Sequence, residues 1–153
     1  MKKFSILLLG AVILFGCTNN NQAKSEKKSE LKWHSNIEKA VTIAQKENKH
    51  VLVLFTGSNW CKWCVKLNKE VFNKKDFQKY AEDNLVLVSL DFPRPDNQDD
   101  SIKKYNIEKA TQYRISGFPT VIILDKNGKK MLVSGYLPGG ATSYINHIEK
   151  ALM

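Results

Sequence analysis

The apolar run Val51-Leu52-Val53-Leu54-Phe55 leads, through the turn Thr56-Gly57-Ser58-Asn59, straight into Trp60-Cys61-Lys62-Trp63-Cys64. An unbroken run of that kind reads as a strand buried on both faces, not as one face of an amphipathic element. Beyond the cysteines, Val65, Leu67 and Val71 read as the start of a helix. The chain must therefore fold so that a central strand delivers two thiols to a helix start. Two cysteines with two residues between them can close a small disulfide and open it again. At a helix N-terminus the dipole and the unpaired N–H groups favour the thiolate, the nucleophile of disulfide exchange.

The rest of the chain supplies a setting for that junction. Ile37, Ala40, Val41 and Ala44 recur at helical spacing, with Ser35 or Asn36 as a possible cap. A second helical piece near 75–82 presents Phe77, Tyr80 and Ala81, and 85–91 is a second strong strand. Pro93 and Pro95 mark 92–99 as a loop, and 101–114 reads as a helix with Ile102, Tyr105 and Ala110 inward. Residues 120–124 form a third strand. Asp125-Lys126-Asn127-Gly128 predicts a hairpin in which Asn127 and Gly128 both take positive φ, and 131–135 pairs back. Tyr144, Ile145, Ile148 and Leu152 mark a closing amphipathic helix. Helices alternating with strands predict an α/β domain, a central mixed sheet flanked by helices on both faces, over 31–153.

Before this domain the composition changes. Lys2 and Lys3 precede an apolar stretch over 4–15 that is too short to span a bilayer, which takes roughly 20 residues. Leu14-Phe15-Gly16-Cys17 resembles the bacterial lipobox, in which the cysteine is lipidated and becomes the mature N-terminus. Residues 1–17 are thus expected to be a lipoprotein signal; the alternative is an ordinary secretory signal with an incidental cysteine. Either one exports the domain to a compartment where disulfides persist. Residues 18–30, rich in Asn, Lys and Ser, are expected to be a disordered tether reaching on the order of 20 Å. If Cys17 carries lipid, Cys61 and Cys64 are left as a pair. The net charge of +9 comes from lysines scattered among acids, without a basic stripe interleaved with aromatics. A nucleic-acid partner is not expected, and a monomer is.

From Trp33 onward the chain resembles the thioredoxin superfamily. The resemblance rests on the strand joined to the WCxxC motif, on Gly117-Phe118-Pro119-Thr120 before the third strand, and on the Asn-Gly hairpin with its terminal helix. More narrowly, Phe55-Thr56-Gly57-Ser58-Asn59-Trp60-Cys61, Lys69-Glu70-Val71-Phe72 and Gly135-Tyr136-Leu137-Pro138-Gly139-Gly140 resemble exported thioredoxin-like proteins akin to the soluble domains of the DsbD type. The resemblance implies a thioredoxin fold and a thiol–disulfide oxidoreductase. Cys61 would be the nucleophile and the more exposed sulfur, and Cys64 the resolving thiol. Trp60, Lys62 and Trp63 would shape the site. Lys62 either supports the thiolate or points into solvent, and Trp63 either meets a partner or packs on its own helix. Pro119 would follow a cis peptide bond, with Phe118 lining the substrate groove.

One departure concerns protons. Thioredoxin carries a buried acid on the strand beneath its CxxC motif, where this chain has Leu54, leaving Glu70 or Asp91 as possible substitutes. No organic cofactor is expected, the dithiol being the redox group. A closed zinc site takes four ligands, and His34, His50 and His147 are isolated in sequence, so no metal is expected. The expected partners are protein disulfides, a membrane or soluble redox partner, and a membrane surface through the anchor. Reduction is the expected direction. The competing expectations are a disulfide oxidase or isomerase, a static structural disulfide, and a non-catalytic binding module on the same fold.

Overall fold

The structure, a computed structural model, describes residues 31–153. The expected signal, the expected tether and Cys17 lie outside the described residues. Five strands form one sheet in the order β1-β3-β2-β4-β5. They are β1 (Trp33–His34), β2 (His50–Thr56), β3 (Leu85–Asp91), β4 (Thr120–Leu124) and β5 (Lys130–Ser134). β1 and β2 run parallel to β3, while β4 is antiparallel to both β2 and β5. The sheet is mixed, as the element order implies. The two-residue β1 was not legible, because so short a segment carries no periodicity.

The apolar run is central because both faces of β2 are covered. Val51, Val53 and Phe55 point towards α1 (Ile37–Glu47) and α4 (Asp100–Gln112). Leu52 and Leu54 point towards the other helices, α2 (Lys62–Leu67), α3 (Lys75–Asn84) and α5 (Gly140–Leu152). Period-two alternation thus divides one run between two cores. Phe72, Phe77, Tyr144 and Ile148 fill the second core, where Phe72 stacks within 4.9 Å of Phe77 and 5.5 Å of Trp33.

Three local readings are corrected. α2 stops at Leu67 and passes into one π turn, Asn68–Phe72, closed by the Asn73 N–H on the Asn68 carbonyl at 2.9 Å. Val71 and Phe72, both buried, lie within this turn. In α4 Tyr105 and Ala110 pack inward as expected, but Ile102 is exposed and the most buried residues are Asn106 and Lys109. The hairpin places only Gly128 at positive φ (84°). Asp125 accepts the Gly128 N–H through its carbonyl, and the N–H groups of Asn127 and Lys129 through its side chain. The result is a type I turn closed by a glycine bulge, not a turn with two left-handed residues.

α1 is capped by Asn36, whose Oδ1 accepts the Lys39 N–H at 2.8 Å, and it ends at Asn48 in the left-handed conformation. α4 is tied to α1 through a polar cluster. Tyr105 accepts the Ile37 N–H and donates to Glu38, and the nearly buried Lys109 ammonium pairs with the same carboxylate.

Candidate active site

The end of β2 hands the chain to the redox motif through a tight turn. The Gly57 carbonyl accepts the N–H groups of Trp60 and Cys61, and the Ser58 N–H and hydroxyl both donate to the Asp91 carboxylate at the end of β3. A side chain at Gly57 would put its Cβ 2.5 Å from the Trp60 indole. Glycine is therefore required for the ring to lie against the turn.

Cys61 is the N-cap of α2, in extended backbone, and its Sγ accepts the Cys64 N–H at 3.3 Å. Sulfur occupies the place that a serine or aspartate oxygen fills in an ordinary cap. Cys64 lies in the first turn, and its Sγ accepts the Gly57 N–H at 3.5 Å. The two cysteines are joined in a disulfide with Cα atoms 5.2 Å apart. Both are nearly covered in this form, Cys61 at 7% exposure and Cys64 at 5%, so exposure barely separates the two sulfurs. Each sulfur has one backbone N–H aimed at it, a geometry that stabilises negative charge on either.

The remaining candidates fall on three sides of this pair. Trp60 donates Nε1–H to the Phe92 carbonyl at 2.6 Å and meets Phe118 edge-on, with ring centres 5.9 Å apart. The Phe118-Pro119 bond is cis, and Phe118 also stacks on Phe92. Trp63, half exposed, packs at 5.2 Å on Tyr136. Lys66 lies over both of these rings, and Tyr136 donates to Glu70 at 2.6 Å. Hydrogen bonding to Tyr136, and then the Glu70 charge, hold the Lys66 ammonium above the ordinary lysine pKa. A Cβ at Gly135 would sit 3.1 Å from the Pro119 carbonyl, so the 135–140 segment closes against the cis-proline loop. Lys62 is exposed and has no hydrogen-bond or ion-pair partner among the described residues.

Behind Cys64 lies a cavity of about 410 Å³. Leu54 forms part of its wall, and its polar lining comes from Thr56, Ser58, Asn68, Lys69, Asn73 and Ser89. No carboxylate lines it. Glu70 is turned to Tyr136 and Lys66, whereas Asp91 reaches the cavity wall through the Ser58 hydroxyl. Sequence reasoning missed three contributors: Gly57, Tyr136 as the platform under Trp63, and Asn59. The Asn59 amide bonds both the N–H and the carbonyl of Arg94. All three lie in motifs that carry the resemblance, but their roles do not show there: Gly57 acts through the shape of its own turn, and Asn59 and Tyr136 through Arg94 and Trp63, distant in sequence.

Comparison with known proteins places this arrangement. A thioredoxin-like domain family model matches residues 37–149, most of the chain. The chain belongs to the thioredoxin-like family. It is similar to the disulfide bond reductase DsbH of Chlamydia pneumoniae, with 31% identity over 134 residues, covering 88% of this chain and 80% of that protein. The solved structure of a DsbH oxidoreductase superposes with a TM-score of 0.78 at 30% identity, over 88% of this chain and 92% of the other. The thioredoxin-related protein DsbJ of the same organism is 24% identical over 71% of this chain, which spans only 31% of DsbJ. Within this thioredoxin-like fold the Cys61–Cys64 disulfide is the chemistry of a thiol–disulfide oxidoreductase.

Proposed function

We propose that the chain reduces disulfides of partner proteins outside the cytoplasm, held at a membrane by a lipid on Cys17. The observation that carries this reading is Cys61 as the helix cap, its sulfur receiving the Cys64 N–H beside the cis Phe118-Pro119 segment. Similarity to a protein named disulfide bond reductase supports the direction. The Lys2-Lys3 start, the apolar stretch and Gly16-Cys17 support export and anchoring.

In the reduced state the Cys61 thiolate attacks one sulfur of a partner disulfide. A mixed disulfide forms, and the displaced partner thiolate takes up a proton. Cys64 then gives up its proton and attacks the Cys61 sulfur. This leaves the Cys61–Cys64 disulfide and a second partner thiol, so two electrons have passed to the partner. The Gly57 N–H stabilises Cys64 as a thiolate. Asp91 is the carboxylate joined, through the Ser58 hydroxyl, to the wall of the cavity that adjoins Cys64, and Lys69 lines the same cavity. Trp60 and Phe118 brace the groove, and Trp63 on Tyr136 offers a partner an apolar surface. Each further turnover takes a dithiol donor to restore Cys61 and Cys64.

Trapping tests the assignment. Cys64→Ser is expected to hold partners as mixed disulfides on Cys61, and Cys61→Ser to hold none. Equal capture by both variants would reverse the two roles. Insulin reduction by the wild type at no more than the Cys61→Ser rate would leave a binding module. Equilibration with glutathione buffers gives the direction: a reductant sits near or below about −230 mV. For the anchor, a mature protein lacking a lipid-sized mass increase on Cys17 would remove it.

A further inference from the structure

Beside the redox motif, on the side away from Trp63, lies a second cavity of about 340 Å³. Its walls are mainly apolar: Trp60, Phe92, Pro93, Phe118 and, from α4, Ile107. Trp60 immediately precedes Cys61 and Phe118 immediately precedes Pro119, so the pocket opens on the groove where a partner chain would lie. Ile107 is half exposed and Trp60 more than a third exposed. Large apolar groups left open together in this way mark a contact site.

The pocket is prebuilt. Residues 92–94 are held to the turn before Cys61 by the Trp60 Nε1–H bond to the Phe92 carbonyl and by the two bonds between the Asn59 amide and Arg94. The Arg94 guanidinium lies 3.9 Å over the Trp60 ring and fixes it from the solvent side. At the rim Lys103 is already paired with Asp96 at 2.7 Å, so the Arg94 guanidinium over Trp60 and the Gln98 amide are the polar groups left there.

One wall is polar and buried. Asn106 is 2% exposed and lines the cavity. Its Nδ2 donates to the Asp91 carbonyl at 2.9 Å, which fixes the amide's orientation, and its Oδ1 has no partner among the described residues. A buried acceptor without a donor is costly, and a ligand that brings one recovers that cost. An occupant complementary to aromatic walls and a lone acceptor has a flat apolar body and a hydrogen-bond donor near its tip.

The geometry points to a specificity subsite that takes the tyrosine or tryptophan side chain of a disulfide-bearing substrate polypeptide, its O–H or N–H donated to Asn106 Oδ1. The subsite rests on the proposed thiol–disulfide activity and supplies its selectivity. Ile107 and Asn106 are specificity residues, since neither touches the reacting sulfurs.

The test uses the reduced full-length chain and peptides that carry one cysteine disulfide. The peptides differ only at a single residue near the cysteine, which is Tyr, Trp, Phe or Ala, at each of the two flanking sides in turn. On one side kcat/KM is expected to be at least tenfold higher for Tyr or Trp than for Ala, and severalfold higher than for Phe. Ile107→Glu alters an exposed position and leaves the core intact; it is expected to bring the Tyr-to-Ala ratio close to one. Asn106→Leu is expected to erase the Tyr-to-Phe difference alone. Equal rates for all four peptides on both sides, or a Tyr preference that survives Ile107→Glu, would overturn the subsite. Failure of the underlying activity looks different: none of the peptides, nor a small aromatic disulfide, would be reduced.

Discussion

At the scale of single residues, the site depends on side chains that do little except hold others. Gly57 is the sharpest case, because the space its missing Cβ leaves is filled by the Trp60 indole. Gly57→Ala is expected to push that ring off the turn and cost about 1–3 kcal/mol, as overpacking does. Chemical denaturation would read the stability, and a change in tryptophan fluorescence the ring. Cys61 and Cys64 were legible because two thiols at a strand–helix junction have few other uses. Tyr136 and Asn59 were not. Their roles come from Trp63, Glu70 and Arg94, which reach them only after folding. The search for a substitute acid met the same difficulty. Glu70 and Asp91 are equivalent as letters, yet one faces Tyr136 and the other bonds to Ser58 at the cavity behind Cys64.

At the scale of elements, hydrophobic periodicity located both cores but not the details that depend on pairing. The β2 run, the β3 run and the closing helix were readable from spacing. The π turn was not, because it is set by one backbone bond, from the Asn73 N–H to the Asn68 carbonyl, that leaves no mark in hydrophobic spacing. α4 was legible in part: Tyr105 and Ala110 face the core, but its most buried residues are Asn106 and Lys109, whose burial is supported by partners on other elements. Lys109 and Tyr105 join α4 to Glu38 on α1, and the pH response of this clamp follows from its charges. Burial pushes the Glu38 carboxyl upward, but hydrogen bonds from Lys109 and Tyr105 outweigh it and hold the pKa below the ordinary glutamate value. A lowered folded pKa gives stability that is present above the unfolded value and is lost as pH falls through the folded one. Glu38→Gln is therefore expected to destabilise by up to about 1 kcal/mol at pH 7, a modest amount because the carboxylate is largely exposed. Denaturation at successively lower pH, below the ordinary glutamate value, should show that difference shrinking.

At the scale of the whole molecule, two cores on either side of one sheet carry the stability, and the disulfide has only to switch. It closes a loop of four residues, worth about 2 kcal/mol of chain entropy by the loop-length relation. The reduced protein is accordingly expected to unfold in one cooperative transition, displaced by about that amount from the oxidised one. Urea titrations of the two forms would measure it, and loss of the native far-UV signal on reduction would make the bond structural instead. By itself the sequence determined the buried central strand, the position of two thiols at a helix start and the strand order along the chain. These are local matters of spacing, burial and residue chemistry. Only the tertiary structure decided which N–H faces which sulfur, that Leu54 and hydroxyl groups stand behind Cys64 where a carboxylate was sought, and that Trp60, Phe118 and Asn106 enclose one pocket. The N–H groups reach their sulfurs across three and seven residues, in a turn that Asp91 holds from the neighbouring strand, while the cavity and the pocket join segments far apart in sequence; such contacts are set by the packing of the whole sheet and its helices.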